Sequence, residues 1–208
     1  MRRLAAAFLL MAVPALAVTV DRIAAVIDRQ VLTVSEINQM IEIRFFARTS
    51  EDEDDYRRDV LDALIAQALR YRDVERFGAQ DIAADSIEAR LIEIRERFAS
   101  EEEFAAALAR AELTLDEVRA LIKRQLQVEA YIQERFAPRV FVANDEIAEY
   151  YAGPWSRQRR ERGLAVPPFE VVREEVRTAV RASRLESEIG RWTAQLRARA
   201  NVDVYAWR

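Results

Sequence analysis

The sequence predicts a mainly α fold, several helices completed by a small β-sheet that an N-terminal hairpin and a C-terminal strand build together. Three observations carry this expectation. Ala, Leu, Arg and Glu dominate, and only four glycines occur in 208 residues, a composition that favours helix. Residues 169–200 follow Pro167-Pro168 and hold no further proline. In them Val172, Val176, Ala179, Ala182, Leu185, Ile189, Trp192 and Leu196 recur at steps of three or four, which is one helical face. Strand-like patterns sit at both ends of the chain, in residues 20–34 and 202–207. A helix of this length extends about 46 Å and cannot bury its stripe alone. It is expected to return along the N-terminal part and bring the last strand to the hairpin.

The first 17 residues read as a secretory signal peptide. Arg2-Arg3 supply the positive start, residues 4–14 an apolar run, and Ala15-Leu16-Ala17 a small-x-small cleavage site, with cleavage after Ala17. The run is shorter than the roughly 20 apolar residues of a spanning helix, so an uncleaved anchor is the lesser alternative. Removing Arg2 and Arg3 leaves 30 basic against 36 acidic residues, a net charge of −6. That balance argues against a nucleic-acid binder.

The hairpin combines Ile23-Ala24-Ala25-Val26-Ile27, a turn at Asp28-Arg29-Gln30, and Val31-Leu32-Thr33-Val34. Thr33-x-x-Glu36 forms a capping box for a first helix reaching about Arg48, with Ser35 as an alternative cap. Ile37, Ile41 and Phe45 make one face of it. Met40, Ile43 and Phe46 are surplus apolar residues: either the helix is buried on two sides, or part of the surplus lines a binding surface. The acidic run 51–55 reads as a solvated loop. It lacks the alternating ligands and central glycine of a calcium loop.

A second helix spans residues 56–77, with a broad apolar side that includes Leu61, Leu64, Ile65 and Ala68, and Gly78 stops it. A third starts near Asp85 and places Ile87, Leu91, Ile94 and Phe98 on one face. Ser100 caps a short fourth ahead of Glu103. Thr114 and Glu117 box the start of a fifth, which runs to about Phe136 before Pro138. Asn144 is expected to cap a sixth, short helix. Residues 153–168, rich in Arg, Gly and Pro, read as a linker.

The chain has neither cysteine nor histidine. Disulfides, Cys/His zinc sites, Cys nucleophiles, Ser-His-Asp triads and lipid attachment through cysteine are therefore excluded. The glycines are scattered, so there is no phosphate loop. Carboxylates pair at every spacing and single out no acid/base couple. No catalytic residue, metal site or cofactor is expected. Arg157, Arg159, Arg160 and Arg162 form a basic run: a solvated linker, or a dock for an acidic partner or lipid headgroup. Trp155 beside it is either a clamp on the core or an exposed contact.

Several local patterns resemble the SurA-like periplasmic chaperones and the N-terminal regions of parvulin-type foldases. They are Val20-Asp21-Arg22-Ile23-Ala24-Ala25-Val26-Ile27 with Thr33-Val34-Ser35-Glu36, and Val60-Leu61-Asp62-Ala63-Leu64-Ile65. Further on come Arg97-Phe98-Ala99-Ser100-Glu101-Glu102-Glu103-Phe104, and Leu113-Thr114-Leu115-Asp116-Glu117-Val118-Arg119 leading into Ile122-Lys123-Arg124-Gln125-Leu126. Arg139-Val140-Phe141-Val142, Asn144-Asp145-Glu146-Ile147 and Tyr150-Tyr151 complete the set. The chain departs from the pattern where Glu112 replaces a frequent glycine, and in its hairpin turn, where glycine or asparagine is frequent.

The resemblance implies a chaperone core formed by an N-terminal helical region and a returning C-terminal helix, with parvulin isomerase domains inserted between them. On this reading residues 18–152 are the helical chaperone region and residues 169–208 complete the same domain. Residues 153–168 then stand where an isomerase domain would be inserted, and are too few for the roughly 50 residues a domain needs. The implied function is a non-catalytic periplasmic holdase for unfolded envelope or outer-membrane protein segments. Met40, Ile43 and Phe46, with Tyr150, Tyr151 and Trp155, are the candidate client contacts. The alternatives are an assembly subunit or homodimer using the same surface and, more weakly, a prolyl isomerase.

Overall fold

The computed structural model describes residues 21–205. The leader with its cleavage site, and Ala206 and Trp207 of the expected last strand, lie outside the described residues. A hairpin opens the fold, β1 (Ile23–Ile27) and β2 (Gln30–Thr33), followed by helices α1 (Val34–Glu42), α2 (Glu53–Phe77), α3 (Ala84–Arg95), α4 (Glu101–Arg110) and α5 (Leu115–Arg135). After a 3₁₀ turn come α6 (Asn144–Tyr150), a π-helical turn (Tyr151–Trp155), α7 (Ser156–Glu161), α8 (Phe169–Arg199) and β3 (Val202–Val204). The mainly α class with a small sheet is the observed one.

The expected closure is present. The strand order is β2-β1-β3 with both pairings antiparallel, and β3 sets Val204, Asp203 and Val202 opposite Ala25, Val26 and Ile27. Asp28 staples the junction: its N–H donates to the Asn201 carbonyl at 2.8 Å and its Oδ1 accepts the Asn201 N–H at 2.8 Å. Its other oxygen pairs with Arg72 on α2. The Asn201 N–H, then the Arg72 guanidinium, hold the Asp28 carboxyl below the ordinary carboxylate range.

Three of the N-caps that the sequence announces form. Thr33 and Thr114 each make a complete capping box, with Glu36 and Glu117 respectively, and Ser100 accepts from the Glu103 N–H. Such a cap contributes about 1 kcal/mol. Three expectations are corrected. The acidic run is no loop: Asp52 caps α2 by accepting from the Asp55 N–H, and Glu53, Asp54 and Asp55 form its first turn, where negative charge complements the helix dipole. Asn144 makes no cap hydrogen bond; it is the first residue of α6. Helix α1 ends at Glu42, short of Arg48, because Arg44 takes φ +50°. The Arg44 and Phe45 N–H groups then return to the carbonyls of Ile41 and Met40, a Schellman closure.

The same closure recurs after α4. Glu112 has φ +53°, its N–H donates to Ala109, and that of Leu113 donates to Leu108. Both departures from the family pattern now have one account. Glu112 and Asp28 (φ +54°) occupy left-handed positions, where a side chain costs about 1–2 kcal/mol that glycine avoids.

Three apolar clusters divide the interior. The main one gathers β1, β2 and α1–α5 around Ile37, Ile65, Phe104 and Ile122. A second places Trp192 of α8 against Val74, Val128, Tyr131 and Ile132. The third packs Val172, Val176 and Val180 of α8 against Ile147 and Trp155. Helix α8 runs antiparallel to α2, since Arg197 pairs with Asp62 at 3.1 Å, Thr193 accepts from Arg70 at 2.7 Å, and Trp192 Nε1 donates to Asp73 at 3.1 Å.

Residues 153–168, read as a linker, are helical as far as Glu161. Trp155 and Ser156 are buried there. Apolar contact with α8 overrides the local Gly153-Pro154 signal, and the backbone absorbs the proline as a π turn.

Candidate functional site

Helices α1, α2 and α5 leave a groove between them. One part, about 240 Å³, is lined by Leu32, Met40, Phe46, Leu64, Ala68, Tyr71 and Leu121. An adjoining part of about 220 Å³ extends it past Leu113 and Ala120. Both parts share Glu36, Met40, Leu64, Leu121 and Arg124. The floor is therefore aliphatic and aromatic, while Glu36, Arg72, Glu75, Glu117 and Arg124 supply charge around it.

Each wall follows from local sequence. The Thr33 box starts α1 so that Met40 lies on the inward side and Glu36 at the rim, where its Oε2 accepts the Thr33 N–H at 2.7 Å. The left-handed Arg44 turns the chain back, and Phe45 and Phe46 meet edge to face with centroids 5.2 Å apart. Phe45 is buried and Phe46 stays half-exposed at the groove. The turn is locked across the fold. Arg97 donates to the Phe45 carbonyl at 2.9 Å and Arg44 pairs with Glu103 at 2.7 Å. Tyr71 lies at one end; burial pushes its hydroxyl pKa up, and Glu75 beside it acts in the same direction. Arg124 has no ion-pair partner among the described residues.

The six residues singled out from sequence do not form one surface. Met40 and Phe46 line the groove. Ile43 does not: it is fully buried, with the main core closing over it. Tyr150, Tyr151 and Trp155 belong to the separate third cluster. Tyr151 stacks on Trp155 at 5.6 Å and donates to the Pro167 carbonyl at 2.7 Å, so Trp155 is the clamp and not the exposed contact. Arg159 of the basic run is also engaged, 4.9 Å from the Trp155 ring centre and 3.8 Å from Glu175. Arg157, Arg160 and Arg162 are exposed. Sequence reasoning missed Leu64, Leu113, Leu121 and Arg124 as groove residues. The available signal was the breadth of the apolar side of the second helix, wider than one neighbour covers.

Among the described residues no helix is long and apolar enough to cross a membrane, and no group of three or more acidic side chains is placed to hold a metal ion. Among the described residues, a helical core closed by a returning helix thus carries an apolar groove with charged residues around it.

Comparison with known proteins agrees. No family model matches the chain. Chaperone SurA of Chromobacterium violaceum is 30% identical over 155 residues, 70% of this chain and 35% of that protein. Chaperone SurA of Pseudomonas putida is 28% identical over 138 residues, 64% of this chain and 32% of that protein. Chaperone SurA of Saccharophagus degradans is 25% identical over 139 residues, with the same shares. The chain spans about a third of the length of the curated relatives it matches. Over the matched stretch the chain is similar to Chaperone SurA.

Proposed function

We propose that this chain is a periplasmic holdase-type chaperone module that binds extended apolar or aromatic segments of unfolded envelope proteins, outer-membrane proteins among them, without catalysis. The carrying observation is the groove between α1, α2 and α5, whose floor of Met40, Phe46, Leu64 and Leu121 sits inside a charged rim. Similarity to proteins named Chaperone SurA supports the same reading, and the leader-like first 17 residues support export. Binding of this kind needs shape and exposed apolar surface and no cofactor.

Phe46, Leu64 and Leu121 are only partly buried where they pack against the main core, so their joint replacement by Ser removes the floor at some cost in stability, with the folded state checked by circular dichroism. The purified protein is expected to suppress light scattering by several unrelated unfolded outer-membrane proteins, and the triple variant to lose most of that effect with an unchanged circular-dichroism spectrum. Failure to protect any client, with tight binding to one folded partner or to a second copy, would favour an assembly subunit or homodimer. Acceleration of prolyl isomerisation in a peptide would turn the reading toward a foldase. Exposed Arg157 and Arg160 on α7, and Arg162 at its C-cap, would serve as an auxiliary contact for acidic or membrane surfaces; charge reversal there tests this.

A further inference from the structure

We propose that the aromatic shelf between the C-terminal ends of α2 and α5 and the C-terminal half of α8 is a second binding site, for acidic peptide segments that carry an aromatic side chain. Phe77, the last residue of α2, is 60% exposed. Its ring stacks on Tyr131 with centroids 6.4 Å apart and planes at 23°. Tyr131 stacks in turn on Trp192 at 5.5 Å, and Phe136 closes on Trp192 at 5.1 Å. An exposed ring at the end of a buried aromatic stack, with the Arg135 guanidinium beside it, is a surface to which a further ring adds edge to face or offset. Two concavities, of about 490 Å³ and about 390 Å³, adjoin here and share Phe77, Tyr131 and Arg135 in their linings. Two adjoining concavities of this size hold several residues of a chain rather than a single ion.

The charge around the shelf points to the other half of the ligand. Five guanidiniums line the two lobes, against the carboxylates of Asp73, Glu134 and Glu188. Those three are engaged: Asp73 accepts from Trp192, Glu134 from Gln80, and Glu188 pairs with Arg191. Arg76, Arg135, Arg139 and Arg199 have no carboxylate partner among the described residues. Arg135 sits 5.0 Å from the Phe77 ring centre. The chain as a whole is acidic at −4, so five guanidiniums against three carboxylates around one shelf are a local excess of positive charge. Such a fork binds carboxylates bidentately. A peptide carboxylate seated there would bring an adjacent aromatic side chain onto Phe77. The shelf shares no lining residue with the α1/α2/α5 groove, so the inference stands whether or not that groove holds clients.

The test is fluorescence anisotropy of the intact protein with a labelled peptide alternating Glu and Phe. Peptides alternating Lys with Phe, and Glu with Ala, serve as comparisons. The Glu/Phe peptide is expected to bind best and to weaken as salt rises to about 0.5 M. Arg76→Gln, Arg135→Gln and Arg199→Gln together should reduce its affinity by at least about tenfold. Phe77→Ala should do the same at an exposed helix end where the fold tolerates truncation, with the circular-dichroism spectrum as the check. Equal binding of the Lys/Phe peptide, or affinity untouched by these substitutions, overturns the proposal. So does binding of inorganic phosphate or of phosphatidylglycerol vesicles through the same arginines while the Glu/Phe peptide fails to bind.

Discussion

The two halves of α8 are held in different ways. The C-terminal half carries one large anchor, Trp192, which is packed among aromatic rings, hydrogen-bonded to Asp73, and flanked by polar ties from Thr193 and Arg197 to α2. It joins the protein's main body and delivers β3 to the hairpin. The N-terminal half carries three valines, Val172, Val176 and Val180, packed on a small group made by α6 and the π turn. Between them residues 181–184 are exposed, and the joint is bridged by polar contacts: Arg181 to the Ala137 carbonyl at 3.1 Å and Arg184 to Glu146. One continuous helix thus serves two apolar clusters. Stability is local to packing, so an unbroken helix need not make one cooperative unit.

Breaking the C-terminal half should have the largest effect. Trp192→Ala removes a buried aromatic side chain and leaves Asp73 without its donor, a change expected to cost about 3–5 kcal/mol. The whole molecule should respond, with urea midpoints by fluorescence and circular dichroism falling together. Confinement of the loss to α8 would show that the main body is independent of the returning helix.

Ile147→Ala strikes the other half. Ile147 is fully buried in the third cluster, and its truncation is expected to cost about 2–4 kcal/mol of local stability. Amide exchange should accelerate across residues 144–180 while the amides of α2 and α5 keep their protection. Uniform acceleration through the protein would instead make the two halves a single unit.

The smallest effect concerns the point where the returning chain meets the hairpin. The Asp28 carboxyl titrates below its ordinary value because Asn201 and Arg72 stabilise the charge. A depressed folded-state value contributes stability that is present above the unfolded value, near pH 4, and lost as pH falls through the lower folded one. Asp28→Asn keeps a residue that tolerates φ +54° and removes only the charge. Its thermal midpoint should lie slightly below that of the unsubstituted protein at pH 7, and the difference should vanish in acid. A difference that persists at pH 2 would assign the effect to shape rather than charge.

Much of this architecture is legible in the residues. The Thr33 and Thr114 boxes, the Ser100 cap, the long helix and the closing strand each rest on contacts within a few residues or on a periodicity, which a sequence displays directly. The misread places share another cause. Arg44 enters the left-handed region without being glycine, and long-range contacts from Arg97 and Glu103 hold it there. Gly153-Pro154 is helical because Trp155 is buried against α8. Of the six candidate contacts, Met40 and Phe46 reach the groove and Ile43 does not, although all three are apolar and lie within seven residues.

The sequence by itself determined that the fold is mainly helical, where the Thr33, Ser100 and Thr114 caps fall, that the chain closes on its own hairpin, and that no cysteine or histidine chemistry is open to it. These follow from local hydrogen bonds, from periodicity and from the residue types present. Only the tertiary structure decided which apolar residues remain uncovered. Exposure depends on how far neighbouring helices stand apart, and that distance is set by side chains remote in the chain: Leu64 and Leu121 beside Met40 at the groove, and Tyr131 and Trp192 beneath Phe77 at the shelf.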